Sequence, residues 1–285
     1  MKRMSFVSII LLIFVVSTLS AVSFVPFVET EQGTIAVLHH TYRNGPDADT
    51  APLFDFRAQG GQDRLYPFSR YSVGATIAGR HRAWLTYQPF ELVTNVSLQE
   101  GIYVGTSDGE TKTFDSGTPV EVTYSFPFYR FSYTYDILGK HENAILGLGM
   151  VLQIRNVSIQ LKALDDSQGL FVTNNVGLVP ALAIYSEYRF PFGLTLGADI
   201  AGSYASSEFF NGADFKFEGS ILDASLRMGY QVADQWELFG VARFFGGTAD
   251  GVSENIGNTW TDGEQPYSQN NIATVTATVG VRWSK

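Results

Sequence analysis

The chain has 285 residues, of which 45% are hydrophobic, 14% aromatic and 16% charged, and its net charge is -9. An acidic chain without a basic stripe is a poor match for nucleic acid, so we expect no nucleic-acid partner. The absence of cysteine excludes a disulfide framework and acylation of an N-terminal cysteine. The length suits one domain.

Residues 1–23 are predicted to form a cleaved secretory signal peptide. Lys2 and Arg3 give a basic start, Phe6 to Val16 is an uncharged apolar run, and small residues follow it. The run is shorter than the roughly 20 apolar residues that a membrane-spanning helix needs. We therefore expect export, cleavage at the end of this segment, and a mature domain at 24–285.

Beyond the signal, the chain breaks into ten stretches in which apolar and polar residues alternate. A period of two is typical of a strand with one apolar and one polar face. Pro89 lies inside the third stretch and predicts a bulge or a strand end there, because it has no N–H to donate. The predicted strands are Thr34–Tyr42, Tyr66–Ala78, Ala83 to about Val96, Pro119–Ile137, Ala144–Ala163, Gly177–Phe190, Leu194–Gly202, Ile221–Val232, Trp236–Phe245 and Ile272–Trp283.

The connections between these strands alternate between short and long. Four are tight, at Gly79–Arg82, Leu138–Asn143, Pro191–Gly193 and Ala233–Gln235. Five are long and polar, at Arg43–Leu65, from the end of the third strand to Thr118, at Leu164–Val176, from Gly202 to about Gly219, and at Gly246–Asn271. An even number of strands with this alternation places both termini at the end of the tight links.

Two strands carry an apolar stripe that changes parity midway. In Pro119–Ile137 the apolar residues occupy even positions as far as Phe128 and odd positions from Tyr129. A change of parity along one strand requires an extra residue, so we expect a bulge near Pro127 to Tyr129. A second change within Ala144–Ala163 predicts another bulge.

This layout resembles that of bacterial outer-membrane β-barrel proteins. A barrel that is apolar outside and polar inside suits lipid, because closure leaves no backbone edge unpaired. The resemblance implies an all-β fold: an up-and-down antiparallel transmembrane barrel of about ten strands in the outer membrane of a diderm bacterium. It also implies outer-membrane lipids and the barrel-insertion machinery as partners. One departure is that Ser284 and Lys285 follow Trp283, whereas such proteins usually end on an aromatic residue.

No catalytic motif is evident. Omptin proteases resemble this chain in strand number, and they use an acidic pair together with an Asp-x-His pair near the rim. Asp47 and Asp49 imitate the acidic pair, and we interpret them as solvated loop residues. No Asp-x-His and no His-x-Ser, the latter typical of outer-membrane lipid A deacylases and phospholipases, occurs at any histidine: His39, His40, His81 and His141.

The other candidate site residues do not predict a metal or a cofactor. His39 and His40 lie at the loop end of a strand, where we expect rim or lumen packing. Acidic loop residues could attract divalent cations, but they lack EF-hand or repeat spacing. They are Asp165, Asp166, Asp250, Glu254, Asp262 and Glu264.

A cluster of charged residues is predicted on the inward, polar faces of the strands. Charges in a lumen must pair or be hydrated, so one interpretation is an ion-pair network that fills a narrow barrel. The other, with seven arginines against three acids, is a positively lined constriction that favours anions. The cluster consists of Arg70, Arg130, Arg155, Glu187, Arg189, Asp223, Arg227, Glu237, Arg243 and Arg282.

Three classes of function remain open. The preferred one is an integral outer-membrane protein with a structural, adhesive or binding role, acting through its lumen and acidic surface loops on an extracellular ligand that the sequence does not identify. The alternatives are a small pore or carrier for small solutes and an outer-membrane hydrolase. Channel conductance would separate the first two classes, and turnover of lipid or peptide would reveal the third.

Overall fold

Ten strands close into an antiparallel barrel in which the first strand of the chain pairs with the last. The computed structural model describes residues 22–45, 49, 51, 53–105, 111–139, 141–165, 170–207, 217–252 and 267–285. Its strands are β1 (Phe24–Gly45), β2 (Leu53–Asp55), β3 (Leu65–Ile77), β4 (His81–Gln88), β5 (Glu91–Ser97), β6 (Ile102–Gly105), β7 (Thr111–Phe114), β8 (Pro119–Ser125), β9 (Phe128–Asp136), β10 (Ala144–Ala163), β11 (Leu170–Arg189), β12 (Leu194–Ser206), β13 (Phe217–Ala233), β14 (Trp236–Val252) and β15 (Tyr267–Ser284). The described residues contain no helix long and apolar enough to cross a membrane.

The closed ring runs through β1, β3, β4, β9, β10, β11, β12, β13, β14 and β15, and then returns to β1. The predicted ten-stranded up-and-down barrel is therefore confirmed. The remaining strands lie at the end of the barrel that carries the long connections. There β5 and β8 continue β4 and β9, β2 pairs with β1, and β6 pairs with β7. The predicted signal segment lies outside the described residues as far as residue 21.

The strands are longer than the sequence predicts. β1 begins at Phe24 rather than Thr34, β11 at Leu170 rather than Gly177, and β14 continues to Val252 instead of ending at Phe245. Backbone pairing continues where side chains stop alternating, because the ladder's N–H and C=O groups must be paired whichever side chains they carry. Four short turns and both termini share one end of the barrel, as predicted, and the turns lie at 78–80, 137–143, 190–193 and 234–235.

The bulge predicted near Pro127 to Tyr129 is wrong. β10 keeps one register from Gly147 opposite Asp136 on β9 to Ala163 opposite Val120 on β8. The register on the other side of β9 and β8 is equally continuous. The second bulge, predicted within Ala144–Ala163, is also absent, because the pairing of β10 with β11 is regular throughout. The strand end predicted at Pro89 is present, between β4 and β5.

The apolar side chains change from the outer face of the strand to its inner face, although the backbone register does not change. On β9 the buried inward residues are polar, such as Arg130, and the outward residues are aromatic, such as Phe131. On β8 the buried inward residues Val120 and Val122 are apolar, and the outward position between them is Glu121. The strand therefore passes between two regions of opposite polarity without a change of register.

A row of stacked tyrosines marks the boundary between these regions. Tyr71, Tyr87 and Tyr129 are outward neighbours on adjacent strands, with ring centroids 6.5 and 4.9 Å apart. We call the part between this row and the short turns the belt half, and the part beyond it the loop half. The belt half carries an exposed apolar outer surface that includes Leu182, Leu226 and Val279, which are 76, 68 and 71% exposed.

The loop half is filled by an apolar core rather than by polar side chains. Phe56 and Phe114 enter it from the long connections and are completely buried, and they join inward residues of the strands. A true bulge does occur here, in β1 between Val37 and His39, where the register with β15 shifts. The cluster consists of Ile35, Val37, Tyr42, Phe54, Phe56, Tyr66, Phe68, Phe90, Leu92, Leu98, Ile102, Phe114, Val120, Val122, Tyr124, Phe126, Phe128, Ile159, Leu161, Ala163 and Ile272.

Candidate functional site

The interior of the belt half contains two layers of ion-paired side chains, each with three arginines and three acids. The first layer, nearer the short turns, consists of Glu29, Arg82, Glu187, Arg227, Glu237 and Arg282. The second consists of Glu31, Arg70, Arg130, Asp199, Asp223 and Arg243. Inward positions of six strands supply each layer, and β1, β13 and β14 contribute to both.

Glu29 is the centre of the first layer. Its Oε1 lies 3.0 Å from Arg227, 3.5 Å from Arg282 and 3.8 Å from Arg82. Arg227 also pairs with Glu237 at 3.0 Å, and its guanidinium stacks 3.6 Å from the centroid of Phe239. Charge pairing, donor geometry and ring stacking therefore hold the arginine in one position.

Asp223 is the centre of the second layer. Its carboxylate accepts a hydrogen bond from Arg130 Nη1 at 2.7 Å, and it lies 3.5 Å from Arg243 and 3.8 Å from Arg70. Arg130 is only 1% exposed and also contacts Asp199 at 3.5 Å. A buried guanidinium is stable only where acids and acceptors surround it, and this layer meets that requirement.

The structure brings together most of the residues of the sequence-predicted cluster. Arg189 lies at the rim of the first layer, where it pairs with Glu187 at 2.7 Å while its side chain stays 54% exposed. The side chain of Arg155 is outside what the structure describes. The members that take part in the two layers are Arg70, Arg130, Glu187, Asp223, Arg227, Glu237, Arg243 and Arg282.

Four members of the layers are absent from the sequence-predicted cluster, and three of them are acids. Glu29 and Glu31 precede the predicted start of the first strand, and Arg82 fell within a predicted link. Asp199 lies on the polar face of a predicted strand, opposite the apolar face that includes Leu196. This alternation is visible in the sequence and could have identified Asp199. With these four included, the described layers balance six arginines against six acids, so they do not favour anions.

Above the second layer the lumen is also filled. A cavity of about 10 Å³, the room of a single water, separates Asp223 and Arg243 from the aromatic residues of the loop half. Phe68, Phe90 and Phe126 line its upper side. Through the described residues, the barrel axis therefore meets ion pairs first and then apolar packing.

The two predicted rim histidines have different surroundings. His39 is exposed, and His40 is buried beyond the apolar belt, where its ring stacks on Phe56 at 3.8 Å. His40 Nδ1 donates to Gln62 Oε1 at 3.1 Å, and burial lowers the pKa of His40 to about 3. Both histidines border an open pocket of about 360 Å³ that Arg57 also lines. His40 is therefore a neutral packing residue at ordinary pH.

The acidic loop residues are described only in part. Asp250 accepts hydrogen bonds from Tyr267 at 2.9 Å and Gln269 at 2.7 Å, and Asp49 and Asp165 are exposed. The others lie outside the described residues: Asp47, Asp166, Glu254, Asp262 and Glu264. Across the described parts of the chain, no group of three or more His, Asp or Glu side chains could hold a metal ion.

Comparison with known proteins identifies the fold. No protein-family profile and no curated protein sequence matches the chain. Among solved structures, the outer membrane protease OmpT from Escherichia coli is similar over 92% of this chain and 98% of its own, at 10% identity and a TM-score of 0.56. The outer membrane protein OprG from Pseudomonas aeruginosa is matched over 91% of this chain and 95% of its own, at 10% identity and a TM-score of 0.36.

The closed ring and the apolar outer belt define the class. The chain has the fold of a bacterial outer-membrane β-barrel protein, as the sequence pattern predicts. At 10% identity the likeness to OmpT extends to the fold alone. What the barrel does must therefore be argued from its own interior.

Proposed function

We propose that this protein is a non-conducting integral barrel of the outer membrane of a diderm bacterium, exported by its N-terminal signal and acting in structure, adhesion or binding through its loop half. The short turns then face the periplasm and the long connections face outward. Lipids contact the belt half, and an extracellular ligand contacts the loop half or its acidic loops.

The filled interior carries this proposal. Two charge-balanced layers cross the lumen at the level of the apolar belt, and Arg130 in the second is 1% exposed. Moving a hydrated ion through them requires breaking buried ion pairs, which leaves charges unpaired at a cost of about 3–5 kcal/mol for each broken pair. Ten strands also lie nearer the eight-stranded barrels that side chains fill than the sixteen-stranded channels.

Single-channel recording tests the proposal. The refolded full chain, inserted into a planar bilayer, should give no conductance steps at neutral pH and physiological salt. An open porin inserted under the same conditions is the positive control, and protease protection of the bilayer-embedded belt half verifies insertion. Regular, ion-selective steps from the inserted protein would overturn the proposal in favour of a small pore.

A further inference from the structure

The barrel wall has a seam in its loop half where two adjacent strands are not hydrogen-bonded. β3 pairs with β4 from Ile77 opposite His81 only as far as Tyr71 opposite Tyr87. Above that rung β5 replaces β4, and β5 pairs with β8 alone. β3 and β5 are both described in full, and no strand pairing joins them. We call this gap the β3–β5 seam.

Each side of the seam has a proline at a position where a backbone N–H would be needed to form a hydrogen bond across it. The C=O of Phe90 accepts from the N–H of Phe126 at 2.6 Å, so Phe90 points its backbone toward β8. Successive residues alternate direction, and Pro89 therefore points toward β3. By the same alternation Tyr87 points toward β3, where Tyr71 is its partner, and Pro67, four residues from Tyr71 along β3, therefore points toward β5. Because two N–H groups are missing, β3 and β5 cannot form a regular ladder of backbone hydrogen bonds. The same absence disfavours the addition of a strand from another chain.

Between β3 and β5, side chains close the seam, and the backbone bond from Gln99 N–H to the C=O of Gln59, at 3.3 Å, lies in the loops beyond these strands. The hydroxyls of Tyr66 and Thr94 form a buried hydrogen bond of 2.8 Å across the seam. Nearer the loops, the side chain of Gln59 donates to Glu100 at 3.0 Å. One buried hydroxyl pair contributes far less than a ladder of backbone bonds, so β3 and β5 separate more easily than β3 and β4 do below the seam.

The seam joins the apolar belt to the aromatic interior. Its lower end is the Tyr71 and Tyr87 pair at the top of the belt, next to the exposed, outward Val73 and Leu85. Immediately behind it, Phe68 and Phe90 line the small cavity above the second ion-pair layer. A path therefore leads from the apolar belt, through the seam, to the aromatic upper side of the small cavity, whose lower side is formed by Asp223 and Arg243.

We propose that the β3–β5 seam is a lateral gate through which an acyl chain of an outer-leaflet lipid enters the aromatic cavity. This names the ligand class for the binding role above and rests on that proposed function. The cavity of about 10 Å³ must widen to admit a chain, and separation of β3 from β5 at the Tyr66–Thr94 bond would move Phe68 of β3, which lines it.

Photo-crosslinking tests the gate. The refolded full chain is placed in phosphatidylcholine vesicles that contain a phosphatidylcholine with a diazirine at one acyl-chain end, and adducts are mapped by mass spectrometry. Adducts are expected on Phe68, Phe90 or Phe126. Tyr66→Phe removes the closing bond and should raise this interior labelling roughly fivefold, the effect of losing one ordinary net hydrogen bond. The matched control Tyr135→Phe, on β9 near the short turns, removes a hydrogen bond with Arg80 on the outer face and should leave it unchanged.

A reversible lock provides the second arm. The chain has no cysteine, so Leu65→Cys and Val93→Cys, at exposed positions on the two edges, can be joined by a cleavable thiol cross-linker. The locked protein should lose interior labelling, and reduction should restore it. Labelling confined to outward residues such as Leu85 in every variant, or interior labelling that persists when locked, would overturn the gate. Neither result affects the conductance test, and channel steps would not change the map of adducts.

Discussion

The belt half and the loop half are built from the same strands, yet their polarity is reversed. In the belt half, apolar side chains point outward and charged side chains point inward, as on β9 with Phe131 and Arg130. In the loop half, on β8, Glu121 points outward and Val122 points inward. The medium outside the wall decides which face is apolar, whereas strand geometry only decides that the two faces alternate.

The two interiors accordingly depend on different interactions. The belt half is held together by ion pairs that lack water and must balance one another, so the loss of one charge leaves its partner unpaired. The loop half is held together by packing of aromatic and aliphatic side chains, as in a water-soluble domain. Substitutions at matched positions should therefore differ between the two halves.

The largest effect is expected from removing a charge in the belt half. Arg130→Met should destabilise the barrel by about 3–5 kcal/mol, because Asp223 and Asp199 lose their shared partner. Reversible denaturant titration in lipid measures this change. Adding Asp223→Asn to the same chain restores charge balance in the layer and should recover much of the loss. A double variant no better than Arg130→Met would show that packing, not pairing, holds this layer.

An arginine introduced on the outer surface should have different effects in the two halves, because lipid surrounds the belt half and water surrounds the loop half. Leu226→Arg places a charge on the belt, at a side chain 68% exposed to lipid, and should cost about 2–4 kcal/mol if it lies near the bilayer midplane. Thr123→Arg, at an outward position of β8, should change stability by less than about 0.5 kcal/mol. Equal costs in parallel titrations would contradict the boundary at the tyrosine row.

The smallest effect is a pH dependence confined to the loop half. Burial lowers the pKa of His40 from its ordinary 6.5 to about 3, so below pH 6.5 the unfolded chain binds a proton that the folded chain does not. Stability from this site is complete above pH 6.5 and is lost as pH falls, by about 2 kcal/mol at pH 5. His40→Gln should flatten the stability curve over this range, whereas His39→Gln, at its exposed neighbour, should leave it unchanged.

The sequence predicts the number and order of the strands because alternation survives wherever one face meets lipid. It does not show which face is apolar, so the change of stripe near Phe128 predicts a bulge that the structure lacks. Apolar side chains can change from one face of a strand to the other where the medium outside the barrel changes. The continuous registers of β10 with β9 and β8 show that the change occurs here without a bulge.

The charged layers could be predicted only in part. Arg130 and Asp223 alternate with clear apolar neighbours and were found. Glu29 and Glu31 alternate with Val28 and Thr30, which are too weakly apolar together to distinguish a strand from a polar loop. Two of the six acids of the layers are therefore missing from the prediction together with the start of β1. The pairing of these residues depends on barrel closure, which the local sequence does not contain.

The ion pairs also constrain the order of assembly. Glu29 and Arg227 are separated by 198 positions in the chain, and Glu31 and Arg243 by 212. Pairs so distant in the chain form only after a long loop has closed, and that closure has an unfavourable entropy. Glu29 and Glu31 therefore lack these two partners until the ring closes between β1 and β15. A chain that stalls before closure exposes unpaired charges at the level of the lipid, so insertion into the membrane and completion of the ring should occur in one cooperative step.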